Sequence, residues 1–177
     1  ELPVGSFITE TLSKEVPDIA RTLLESNVKD EERHDLALSY VADAHGLDDK
    51  AEKEAKLLRD AWIAHPDHTI LKALVAERAI FFVILPFNRF CGDAALRTVS
   101  ADISRDEQIH VACNSLVCAD MGLRPSTSLD KLRKATINWI FEPLADIAPN
   151  KYLSRKFWTD SSDRLMYEGK ALSLIHI

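Results

Sequence analysis

Two Glu-x-x-His segments, Glu31 to His34 and Glu107 to His110, each lie in the middle of an apolar helical stripe. No other feature of the chain restricts its fold as strongly. Leu24, Val28, Glu31, His34, Leu38 and Val41 recur at steps of three and four, so one helix face carries them all. Leu96, Val99, Ile103, Glu107, His110 and Asn114 repeat the pattern on a second helix. Leu74, Glu77, Phe81 and Leu85 put another acid into a third stripe. Burying an unpaired carboxylate or imidazole is costly, so groups placed this way must meet one another or a metal. The stripes predict an all-α bundle with a metal site in its interior.

Breakers divide the chain into helical stretches, and nothing in it alternates like a strand. Helices are expected over 17–44, 48–64, 67–90, 94–121, 128–148 and 151–171. Pro17 suits a first turn, Asp48 or Asp49 a cap, and Gly46 and Gly122 the positions just past a helix end. Pro86 is expected to kink its helix, and Pro143 to disturb the next but one. Residues 1–16, interrupted by Pro3 and Gly5, read as a frayed helix end and a connector. Residues 1–171 are expected to form a single domain, cut at both ends from a longer protein. Residues 172–177 read as translated sequencing-adapter sequence and are left out of the fold.

A formal net charge of −6 leaves no electrostatic footprint for nucleic acid or an anionic membrane. No apolar run approaches the ~20 residues of a membrane span. Cys91, Cys113 and Cys118 are odd in number and lack a zinc spacing, so they read as reduced core thiols of a cytoplasmic protein. Trp62, Trp139 and Trp158 read as core packing, and His65 and His68 as residues of a polar turn. Glu32, Arg33 and Asp35 read as solvated neighbours of the first Glu-x-x-His turn.

A Glu and a His three residues apart point the same way, about a turn from each other. The carboxylate can bridge two metals while the imidazole binds one. Two such helices, with one Glu from each of two others, make the ligand set of ferritin-like dimetal bundles. Glu77 supplies one of the additional acids. It precedes Glu107 by 30 residues (107 − 77), and the same interval before Glu31 falls on Glu1, the candidate for the other.

The segment Ile103-Ser104-Arg105-Asp106-Glu107-Gln108-Ile109-His110 resembles the Ile-x-Arg-Asp-Glu-x-x-His segment of ribonucleotide reductase small subunits. Glu77-Arg78-Ala79-Ile80-Phe81 is similar to that family's third ligand helix, and Pro17 leading a helix into Glu31-x-x-His34 also fits. The likeness covers residues 1–120 well and is loose beyond them. It implies a ferritin-like fold and two iron or manganese ions held by Glu31, His34, Glu77, Glu107 and His110. It implies that Asp106 orients a ligand histidine and joins a radical-transfer path. Leu38, Phe81, Leu85 and Ile103 would line a dry pocket beside the metals. The implied activity is that of a class I ribonucleoside-diphosphate reductase. Its dimetal site activates oxygen to an oxidant that starts ribonucleotide reduction in a partner α subunit. The small subunit would be a cytoplasmic homodimer.

The chain departs from that family in three respects. Where the family carries a radical-bearing Tyr, four residues after the first His, this chain has Leu38. Tyr40 lies about 200° further round the helix and faces away. The oxidising equivalent would then reside on the metals. The interval from Glu31 to Glu77 is 46 residues (77 − 31), shorter than in many members. The docking tail and the upstream relay Trp are not recognisable in these residues. Three other readings compete. A dimetal monooxygenase or oxidase would act directly on a small apolar substrate and needs an apolar channel to the metals. A storage or detoxification protein needs acidic entry routes or a Cys-rich iron module. A metal-free helical bundle would carry its carboxylates without function.

Overall fold

The structure is a computed structural model that describes residues 2–14, 16–46, 48–144 and 150–169. Among these residues every regular element is helical. α1 spans Val4–Leu12, α2 Asp18–His45, α3 Asp49–Ala64, α4 Thr69–Ala76, α5 Phe82–Cys91, α6 Ala94–Asp120, α7 Thr127–Ile140 and α8 Arg155–Glu168. A π-helical turn, Glu77–Phe81, joins α4 to α5 without a break, so the eight segments make seven helices. None of them is long and apolar enough to cross a membrane.

Four helical rods enclose the interior. α1 packs on α2 and α4, α2 packs on α6, and α6 closes the ring against α4 and α5. Asp30 and His34 of α2 meet His110 and Asp106 of α6 in reversed order, so these two helices run antiparallel. α7 and α8 pack on each other and on the π-turn, while α3 lies outside and touches α7. Buried Arg133 ties α7 to α8, donating to Ser162 at 2.6 Å and Asp163 at 2.7 Å. Trp62 and Trp158 are fully buried, with their indole N–H groups on Thr136 and the Tyr152 carbonyl.

The caps follow the sequence. Pro17 and Gly46 flank α2, and Asp48 caps α3 by accepting from the Ala51 N–H at 2.7 Å. Gly122 takes φ +65° past the end of α6, a conformation that side chains resist, and lets Leu123 N–H reach the Cys118 carbonyl.

Several expectations need correction. Residues 4–12 are a core helix, not a frayed end: Val4, Phe7, Ile8 and Thr11 recur at helical spacing and are all buried. Burying Phe7 and Ile8 contributes about 1.5–3 kcal/mol each, more than Gly5 costs in helix propensity, about 1 kcal/mol. α7 stops at Ile140, and residues 141–144 turn at Pro143, which cannot continue a helix. α8 starts at Arg155, because Lys151–Leu153 tighten into a 3-10 turn capped by Asn150. Cys91 ends α5 at the surface and is exposed; Cys113 and Cys118 are buried free thiols. The third long helix also carries a π-turn at Glu77, upstream of Pro86, which lies inside α5.

Candidate metal centre

α2 and α6 bring their Glu-x-x-His turns face to face. Glu31 and His34 are each 6 % exposed, and Glu107, His110 and Glu77 are fully buried. Both carboxylates meet both imidazoles. His110 Nδ1 stands 3.2 Å from Glu31 Oε1 and 3.5 Å from Glu107 Oε2. His34 Nδ1 stands 3.4 Å from Glu107 Oε1 and 3.7 Å from Glu31 Oε1. Glu77 enters from the first residue of the π-turn. Such turns insert extra backbone into a helix and recur at functional sites. Glu31, Glu77, Glu107 and His110 each offer one ligand atom within 4.8 Å of the others, so this buried cluster could hold metal ions.

The outer nitrogen of each imidazole is tied to an aspartate of the opposite helix. His34 Nε2 lies 3.1 Å from Asp106 Oδ2, and His110 Nε2 lies 3.1 Å from Asp30 Oδ2. Each bond keeps a proton on Nε2, so that the neutral imidazole would present Nδ1 to a metal. Asp30 was not singled out from the sequence. Its signal was there: Asp-Glu-x-x-His occurs in both segments, so Asp30 is the positional equivalent of Asp106.

The electrostatics are those of an acid–imidazole cluster. Burial would lower the His34 pKa, but Glu107, Glu31 and Asp106 outweigh it and hold it at about 10. The same opposition, with Glu107, Glu31 and Asp30 prevailing, puts His110 at about 11. Burial, with the charges of Glu107 and Glu31, pushes Glu77 well above the usual carboxylate range. Glu107 goes the other way: burial would raise it, but the two imidazoles hold it low. A divalent cation would reverse this balance, displacing the imidazole protons and favouring ionised carboxylates.

The donor set fits such an ion. Glu77 Oε1 is buried without a partner, and Glu31 Oε1, both oxygens of Glu107 and Nδ1 of both histidines have only one another, as ion pairs at 3.2–3.7 Å without hydrogen-bond geometry. Native interiors hold few such atoms, and those of Glu31, Glu77, Glu107 and His110 share one small space. Carboxylate oxygens with imidazole nitrogens suit iron and manganese, and affinity alone does not choose between them.

Beside the cluster lies a cavity of about 650 Å3, bounded by α2, α3, α5, α6 and α7. Glu31, His34 and Glu107 form part of its wall, and Leu38, Phe81, Leu85 and Ile103 all line it. Asp35 is exposed, as expected of a solvated neighbour, and also lines it, as does Trp139, whose indole N–H donates to Glu54 at 2.8 Å. Arg33 is exposed and pairs with Asp30. Tyr40 is 66 % exposed and points away. His65 bonds Ser128 and His68 caps α4, both away from the cluster. Glu1 and residues 172–177 lie outside the described residues.

Comparison of the chain with protein families, with curated proteins and with solved structures gives no match.

Proposed function

We propose that this chain is the radical-generating small subunit of a class I ribonucleotide reductase, a ferritin-like bundle working with a partner α subunit. The observation that carries this reading is the 3.1 Å contact between His34 Nε2 and Asp106 Oδ2. It joins the buried cluster to a carboxylate that is 39 % exposed, and it lies within the Arg-Asp-Glu-x-x-His segment that resembles the family. Two iron or manganese ions held by Glu31, His34, Glu77, Glu107 and His110 would supply one-electron oxidising power drawn from oxygen.

The residues of the chain do the rest. Glu31 and Glu107 each face both imidazoles, the arrangement a bridging carboxylate needs. Phe81, Leu85 and Ile103 give the cavity an apolar wall beside the cluster, the surface a dry pocket would need. Asp106 accepts from His34 Nε2 and orients that imidazole toward the cluster, and it would lie on the route by which charge leaves the ions. Leu38 cannot store a radical, so the oxidising equivalent would have to reside at the metals. A cytoplasmic homodimer is part of this reading.

A second reading draws on the cavity. Its volume falls within the ~300–1,000 Å3 of small-molecule sites, and its inner wall is chiefly apolar beside Glu31, His34 and Glu107. That is the channel a dimetal monooxygenase or oxidase would need for a small apolar substrate. One experiment separates the two. The chain is loaded anaerobically with iron and manganese, exposed to oxygen, and examined by electron paramagnetic resonance. It is then assayed with an α subunit and a ribonucleoside diphosphate. The reductase reading expects a coupled-metal signal without a tyrosyl signal, and deoxyribonucleotide formation only with α. Oxidation of an apolar compound without α would favour the second reading.

A further inference from the structure

We propose that Asn114 is a positioning residue of this centre, holding one oxygen of Glu77 so that the other faces Glu31, Glu107 and His110. The inference rests on the metal-site reading and adds a residue to it. Asn114 lies one turn beyond His110 on α6 and is fully buried. Its Nδ2 donates to Glu77 Oε2 at 2.7 Å, at the short end of the range for such bonds. The other oxygen of Glu77, Oε1, has no hydrogen-bond partner and is the one left for the cluster.

Two features argue against a merely structural amide. The Oδ1 atom of Asn114 is itself buried and unpartnered, a cost an apolar residue would not carry. The equivalent position on α2, four residues after His34, is Leu38, an apolar residue on the cavity wall. The centre is therefore two-sided. One histidine helix turns an apolar side chain to the cavity. The other turns an amide to Glu77, the acid that the π-turn delivers.

Cobalt(II) titration of the purified chain tests this, because the visible spectrum of the bound ion reports its coordination. Asn114→Leu and Asn114→Ala both remove the donor, the first with the same branching but more bulk and the second with room to spare. Asn114→Gln keeps an amide. The expected result is binding weakened by about 10–100-fold in Asn114→Leu and Asn114→Ala, with a changed visible spectrum, and partial recovery of both in Asn114→Gln. Wild-type affinity and spectrum in either donor-less variant would overturn the proposal. So would a lower metal-free melting temperature with an unchanged spectrum of the bound ion. A wild-type chain that takes up no stoichiometric cobalt would overturn both this proposal and the metal reading beneath it.

Discussion

Gly5 of α1 lies directly against Glu31 of α2: a Cβ at residue 5 would come within 3.2 Å of the Glu31 Cβ. The short helix at residues 4–12 thus touches the first Glu-x-x-His turn, and any side chain at residue 5 must displace Glu31. Gly5→Ala gains helix propensity but must push Glu31 by a few tenths of an ångström, so its stability is expected to change little. Its metal affinity should fall. Gly5→Val cannot be accommodated so cheaply and should destabilise by about 1–3 kcal/mol. Thermal melting with a parallel metal titration checks both variants. Unaltered metal affinity in Gly5→Val would mean that the contact does not place Glu31.

Glu77 is a buried acid whose ionised form is disfavoured in the metal-free chain. Glu77→Gln keeps an acceptor for Asn114 and removes the acid. The metal-free protein is expected to keep its stability to within about 1 kcal/mol or to gain, since a lone buried acid is a liability. Metal occupancy should drop sharply. Normal occupancy in the purified variant would exclude Glu77 as a ligand.

Asp30 and Asp106 make the same bond to opposite histidines, but Asp106 is the more exposed, with a side chain 39 % exposed against 18 %. Asp30→Asn and Asp106→Asn should each weaken metal binding by about 10–100-fold. On the reductase reading proposed above, Asp106→Asn under saturating metal should remain inactive with an α subunit while Asp30→Asn recovers. Equal recovery of the two would remove the special role of Asp106.

The raised histidines set a pH dependence. Their protonated forms stabilise the metal-free fold, fully below the ordinary value of 6.5, and this contribution fades as pH climbs through about 10 and about 11. Glu107 acts oppositely: its contribution is present above the ordinary 4.5 and fades as pH falls through its lowered value. The metal-free chain should melt highest between these limits. Metal binding needs neutral imidazoles, so loading at neutral pH should release protons and tighten from about pH 6 to about pH 8. Calorimetry in two buffers of different ionisation enthalpy measures the release. Binding with no proton release would mean that the imidazoles are not ligands.

The sequence showed the parts of this site that depend on one helix at a time. Glu31 with His34, and Glu107 with His110, were legible because helical spacing alone puts them on an apolar face. Glu77 was legible for the same reason. What depends on two helices together was not. The Asp30–His110 bond exists because α2 and α6 run antiparallel in a particular register, and the contact of Gly5 with Glu31 exists because α1 docks on α2. Pro3 and Gly5 looked like breakers, yet Pro3 sits just before the first turn and Gly5 serves a close approach. The π-turn at Glu77 leaves no mark in the periodicity.

The metal content of the anaerobically loaded chain tests the central claim most directly. The protein is incubated with excess iron(II) or manganese(II), freed of loose ions, and analysed for metal per chain. Two tightly held ions per wild-type chain, lost together in Glu107→Ala, is the result this account predicts. A wild-type chain that retains no stoichiometric metal would contradict it, and the buried acids and histidines would then be an ion-pair cluster of the fold.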